Sequence, residues 1–193
     1  MDVITDQLQE QAALYAAGTL TASQRAQMEL ILEFREDVKT LVRELLEVAT
    51  AATLGTQNNR MRPSGGLKQR IMGMLDDRVQ QTREPGFVMT TPEGLVDWVN
   101  PAFSAMCGYT IDELRGKKLG QLLQGPQTDP AAVERVREAV RSQQPCTEAL
   151  INYHKDGQPY RVSINITPIQ DSDGKVLWFA AREHELPERA VLS

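Results

Sequence analysis

No glycine or proline interrupts residues 22–54, whereas after residue 85 turn signals break the chain every few residues. Glycine and proline are the strongest stops for a helix, so the first stretch has nothing to end it. Its apolar residues are Met28, Ile31, Leu32, Phe34, Val38, Leu41, Val42, Leu45, Leu46 and Val48. They recur at steps of three and four, the spacing of a helix with one buried stripe. Charged residues crowd between Glu33 and Asp37, so either one long helix or two helices meeting there is expected. Upstream, Leu8, Ala12, Leu14 and Tyr15 predict a short amphipathic helix ending near Gly18, a residue type favoured just past a helix end. Thr21 and Gln24 stand at capping-box spacing.

Residues 55–66 carry turn and linker chemistry, including Pro63, Gly65 and Gly66. Leu67, Ile71, Met74 and Leu75 then resume helical spacing. Gly73 weakens that helix by about 1 kcal/mol relative to alanine. Such a short helix needs a surface to pack on, either this chain's own or a partner's.

The period then changes. Residues 87–90 and 95–99 read as strands around Pro92-Glu93-Gly94, and a helical middle runs from Pro101 to about Ser142. Residues 147–154, 159–168 and 176–184 read as three more strands, joined at Asp156-Gly157 and Asp173-Gly174. Val162, Ile164 and Ile166 alternate with polar residues, which marks a strand with one dry and one wet face. The expected class is α+β: an all-α helical domain over 1–81, a linker over 82–86, a sheet domain over 87–186 and a tail over 187–193. An antiparallel sheet with helices on one face leaves a concavity for a small molecule.

Charge and composition narrow the function. Lys and Arg number 21 against 26 Asp and Glu, a net charge of −5. That balance lacks the positive excess needed to neutralise phosphates, so direct nucleic-acid binding is not expected. No apolar run is long enough to span a bilayer. Met1-Asp2 opens without a basic cluster or an apolar core, so no signal peptide is expected, and the cytoplasm is the expected location. Cys107 and Cys146 form no metal-binding or redox pattern. His154 and His184 are the chain's two histidines; His154, beside a hairpin turn, is expected in solvent. No catalytic triad order, phosphate loop or paired carboxylates stand out, so the chain is not expected to be an enzyme or to hold a metal.

Four stretches resemble the PAS domain family, over about residues 87–186. Val99-Asn100-Pro101-Ala102-Phe103 is similar to its "V-N-P-A-F" element. Gly108-Tyr109-Thr110 through Glu113-Leu114 to Gly116-Lys117 resembles "G-Y-[ST]-x-x-E-L-x-G-[KR]". Lys155-Asp156-Gly157 resembles the "K-D-G" hairpin, and Thr167-Pro168-Ile169 the turn segment that follows. The resemblance implies a five-stranded antiparallel sheet with flanking helices, and a sensory or interaction role.

Leu122-Leu123-Gln124-Gly125-Pro126-Gln127-Thr128-Asp129 is similar to "F-L-Q-G-P-[ED]-T-D" of the flavin-binding LOV subset. The reactive cysteine of that subset falls at Leu119 or Gly120, and neither is a thiol. Gln124 and Asn152 match two flavin-contacting positions. The second asparagine falls at Val162 and the glutamine of the last strand at Arg182. The candidate pocket is therefore Gln124, Asn152, Leu119, Val162 and Ile164, with a cysteinyl adduct excluded and flavin disfavoured as cofactor. Cys107 reads as a small apolar filler.

Residues 8–76 resemble the helical domain of zinc-associated anti-sigma factors. The likeness rests on Ala12 to Thr21, on the long helix and on Pro63 to Ile71. The zinc motif of that family falls at Ile31, Arg35 and Val38, none of which suits a structural zinc site. This likeness implies an extracytoplasmic-function sigma factor as partner, gripped by Leu67, Ile71, Met74 and Leu75. The alternatives are a homodimeric PAS adaptor and a flavin photoreceptor-like protein.

Overall fold

The computed structural model describes residues 4–54 and 84–187. The partner-binding candidates Leu67, Ile71, Met74 and Leu75 lie outside the described residues.

Three helices open the chain. Helix α1, Asp6–Ala17, is capped by the Thr5 hydroxyl and ends at Gly18, whose φ of 72° closes the last turn in the left-handed region. Helix α2, Ala22–Phe34, carries the predicted capping box: Thr21 and Gln24 satisfy each other's backbone N–H groups. The charged crowd after Glu33 does end the helix. Arg35 takes an extended conformation, φ −105° and ψ 90°, and α3 runs over Glu36–Leu54. The stripe is thus carried by two helices, not one.

Five strands follow, with four short helices between the second and third. Strands β1, Gly86–Thr90, and β2, Val96–Val99, lead into α4, Pro101–Cys107. Helices α5, Ile111–Leu114, α6, Leu119–Leu123, and α7, Pro130–Arg141, complete the crossing. Strands β3, Cys146–Tyr153, β4, Pro159–Gln170, and β5, Val176–Glu185, close the sheet. The strand order is β2-β1-β5-β4-β3, antiparallel throughout.

The expected motifs turn out to be helix punctuation. Asn100 is buried; its Oδ1 accepts from the Phe87 and Phe103 amides at 2.8 and 2.9 Å, and its Nδ2 donates to the Pro85 carbonyl at 2.9 Å. One side chain therefore caps α4 and ties it to β1. Pro101 occupies the first turn, where no amide is missed. Thr110 and Glu113 form the capping box of α5. Glu113 also pairs with Lys155 of the β3–β4 hairpin at 2.5 Å, and that contact holds its carboxyl down at about 2.

Both faces of the sheet are covered. Side chains alternate across a strand, so Phe87 and Met89 point to one face and Val88 to the other. The outer face joins Phe87, Met89, Trp98, Ile169, Leu177, Trp178 and Ala180 to the stripe of α1–α3 in one apolar cluster. Phe34 stacks on Phe87 with ring centroids 4.3 Å apart. The Gln170 amide donates to Gln27 Oε1 at 2.9 Å, and Arg182 pairs with Glu33 at 2.5 Å. Residues 4–54 and the sheet thus share a core. The α2 part of the apolar stripe is spent on the sheet.

Candidate functional site

The inner face of the sheet packs on α4–α7. Val88, Val96, Val99, Leu150, Val162, Ile164, Ile166, Phe179 and Ala181 meet Phe103, Cys107, Leu114, Leu123 and Ala132 there. This is the face expected to border a small molecule; it is packed as an apolar cluster, and it carries polar groups that a purely structural core would avoid.

Three of them lie on adjacent strands. Asn152 of β3 is buried and stands directly opposite Tyr160 of β4. Glu183 of β5 is 2% exposed. Among the described residues, buried Glu183 Oε2 has no hydrogen-bond partner, and the buried Tyr160 hydroxyl, beside the Asn152 side chain, makes no hydrogen bond of good geometry. Burial alone pushes the Glu183 carboxyl up to about 8. Burial raises the Tyr160 phenol and the Cys107 thiol too, and Glu183 adds to both shifts. Orphaned polar atoms inside an apolar site are the mark of a missing partner, because each costs about 1–3 kcal/mol when left unsatisfied.

Gln124, half-buried, is the C-cap of α6 and opens the loop to α7. Thr128 is its anchor. Its Oγ1 accepts from the Gly125 amide at 3.0 Å and donates to the Ile151 carbonyl at 2.6 Å. The Gln127 amide donates to the Tyr153 hydroxyl at 2.9 Å, and Asp129 caps α7. A Cβ at residue 125 would stand 2.4 Å from the Tyr153 ring, so only glycine lets the loop lie on β3. The Gln124 amide folds back on Gly120, where a Cβ would meet it at 2.9 Å. The "Q-G-P-Q-T-D" stretch is thus a positioning device for one half-buried amide.

The predicted pocket residues separate as follows. Asn152, Val162 and Ile164 share the inner face, with Val162 fully buried. Leu119 and Gln124 are half-buried at its α6 side.

Two expectations need correction. Arg182 does not take the inward position on β5. Its guanidinium lies 5.2 Å over Phe34 and pairs with Glu33, on the outer face. The inward position is the neighbouring Glu183; a one-residue shift along a strand exchanges the two faces. Phe179 and Ala181 on the inner face could have fixed this parity from sequence. His154 is not free in solvent. Its ring stacks on Tyr160 with centroids 4.2 Å apart, and its Nδ1 lies 2.6 Å from the Met106 carbonyl.

The positions of the missing zinc motif lie in the outer core. Ile31 and Val38 are fully buried, and Arg35 is 3% exposed. Arg35 makes a forked pair with Asp37 at 2.8 and 2.5 Å and lies 4.7 Å over Trp98. Among the described residues no cluster of three metal-ligating side chains occurs, and no helix is long and apolar enough to cross a membrane.

The PAS domain family description matches residues 84–182. Phototropin-2 of rice (Oryza sativa subsp. japonica) is 30% identical over 141 residues, covering 68% of this chain and 15% of its own. A blue-light-activated histidine kinase of Brucella canis is 32% identical over 92 residues, covering 48% of this chain and 19% of its own. This chain therefore spans under a fifth of either relative. Among solved structures, the LOV domain of the blue-light-activated histidine kinase from Erythrobacter litoralis EL346 superposes with a TM-score of 0.51. It is 28% identical and covers 54% of this chain and 97% of that one. The light-state Aureochrome1 LOV structure gives 0.52 at 27% identity, covering 54% and 84%.

Proposed function

Because the chain belongs to the PAS domain family, we propose that it is a sensor unit whose interior takes a flavin or a similar planar heterocycle, and whose helical cap α1–α3 passes the binding state on. The observation that carries this reading is the orphaned pair, Tyr160 Oη and Glu183 Oε2, on the inner face. They lie among aliphatic and aromatic walls that suit a flat apolar ring system.

The side chains fit such a group. Asn152, Gln124, Tyr160 and Glu183 would hydrogen-bond its polar edge, while Val162 and Ile164 would lie against the ring. A bound flavin supplies light absorption and one- or two-electron chemistry. Leu119 and Gly120 offer no nucleophile to it, so these two positions cannot form a covalent bond with the ring. The relatives named as blue-light photoreceptors support a flavin over other heterocycles.

The cap is the natural output. Strand β5 carries Glu183 inward and Arg182 outward, so a ligand held at the first lies one residue from a side chain that touches Glu33 and Phe34 of α2. A ligand shifts the cap only by its differential affinity for the capped and uncapped arrangements. A sigma-factor partner is not part of this reading, which follows the blue-light relatives; the residues expected to grip one, Leu67, Ile71, Met74 and Leu75, lie outside the described residues. We read the chain as non-enzymatic in its own right.

The test is an absorption spectrum of the purified chain, before and after incubation with flavin mononucleotide. A structured visible flavin band that stays with the protein through gel filtration is expected. A colourless protein that takes up no flavin would sink the reading. Both tryptophans, Trp98 and Trp178, are buried in the outer cluster under the cap, so their emission reports cap release in the same cuvette.

A further inference from the structure

We propose that Glu183 is the residue that sets which ligand edge this interior accepts: held as an uncharged carboxylic acid, it donates one hydrogen bond and accepts another. It therefore selects a ligand carrying an acceptor beside a donor, as a lactam or imide does, and rejects an edge that is anionic. The inference rests on the functional reading above and adds the protonation state that reading leaves open.

The geometry excludes the charged form. Glu183 lies on the inner face between Gly86 of β1 and Ile164 of β4, its register partners. Neither can donate a side-chain hydrogen bond. Among the described residues Oε2 has no partner, and an unpaired buried carboxylate is among the costliest groups a core can hold. The titratable groups facing it are Tyr160 from β4 and Cys107 from α4, and both stay uncharged at neutral pH because burial raises them as well; His154 of the β3–β4 hairpin stacks on the far side of Tyr160, and Glu185, two residues along β5 on the same face, is exposed. Glu148 lies across β4 from Glu183, opposite Ile164 on β3. It is neutralised by Arg135 of α7 at 2.6 Å. The neighbouring cation Arg182 points to the opposite face and is engaged by Glu33. Among the described residues no Lys or Arg pairs with this carboxyl.

A carboxylic acid and a primary amide both offer one donor direction and one acceptor direction. Glutamine would do the same work at every pH. Glutamate does it only while protonated, so the choice of glutamate links ligand affinity to pH.

The experiment titrates flavin mononucleotide into the full chain and into Glu183→Gln, following fluorescence quenching between about pH 6 and about pH 9.5. With the carboxyl at about 8, wild-type affinity should fall roughly thirtyfold across that range. Glu183→Gln, whatever its affinity at the acid end, should lose across the range only what ionisation of the flavin itself costs. Parallel pH profiles for the two proteins would overturn the proposal. An infrared pH difference spectrum of the ligand-free chain gives an independent readout. A protonated carboxyl carbonyl band should be present at about pH 6, vanish with rising pH and be missing in Glu183→Gln. If neither protein takes up flavin, the functional reading falls, while the infrared band still decides the state of Glu183. Absence of that band overturns the proposal.

Discussion

Glu183 ties the stability of the free chain to pH in a direction opposite to most carboxylates. Its folded value, about 8, stands above the ordinary 4.5. Below 4.5 the group is neutral in both states and costs nothing extra. As pH rises from 4.5 to 8, the unfolded chain gains the ionised form and the folded chain does not. Stability is therefore lost across that window, by about 5 kcal/mol in total. Asp37, Glu113 and Glu148 are lowered and act in the acid range below it. The denaturant midpoint should be higher at about pH 5 than at about pH 8.5. Glu183→Gln should remove most of that difference and stabilise the chain at the alkaline end. A midpoint that rises over this interval would show that Glu183 is not held neutral. The sequence placed the polar inward position at Arg182, one residue early, because counting from a motif carries no information about which face a side chain meets.

At the scale of elements, two contacts hold α2 to the sheet, and their magnitudes differ. The Arg182–Glu33 pair is 34% and 44% exposed, and such pairs contribute roughly 0–1 kcal/mol. Phe34 is buried in the outer cluster and stacked on Phe87. Truncating a buried phenylalanine costs about 3–5 kcal/mol. Packing, not charge, holds the cap. Phe34→Ala should lower the unfolding free energy by about 3 kcal/mol and shift tryptophan emission to the red. Glu33→Gln should change it by under about 1 kcal/mol. Equal effects would mean that the ion pair carries the contact. The elements themselves were legible. Gly18, Thr21 and the charged crowd at Glu33–Asp37 marked the ends of α1 and α2, because capping is local chemistry.

The described residues form a three-layer arrangement, with α1–α3 on one face of the sheet and α4–α7 on the other. Removing residues 4–54 would expose Phe87, Met89, Trp98, Ile169, Leu177 and Trp178 together. A contiguous aromatic patch of that kind drives association. A chain beginning at residue 84 should run as a dimer or larger on gel filtration and bind an apolar dye, while the full chain does neither to the same extent. A monomeric, dye-free truncation would show that the helices are not a cap. The sequence held a sign of this layer. Val176 to Ala181 is an unbroken apolar run, as in strands covered on both faces. The alternation of Val162, Ile164 and Ile166 is the other pattern, because the outer face of β4 near Arg161 and Asn165 is not fully covered.

What the sequence determined is everything written in short-range chemistry: the helix caps, the hairpin turns at Asp156-Gly157 and Asp173-Gly174, the loop that places Gln124, and the sheet architecture those pieces imply. Such signals act through neighbours in the chain, so they can be read one segment at a time. Only the tertiary structure decided that the stripe of α2 lies on Phe87 and Trp98, and that Glu183 faces the interior with Tyr160. Burial and pairing between distant segments depend on which surfaces meet in space, and an apolar stripe fits its own sheet as well as it fits a partner.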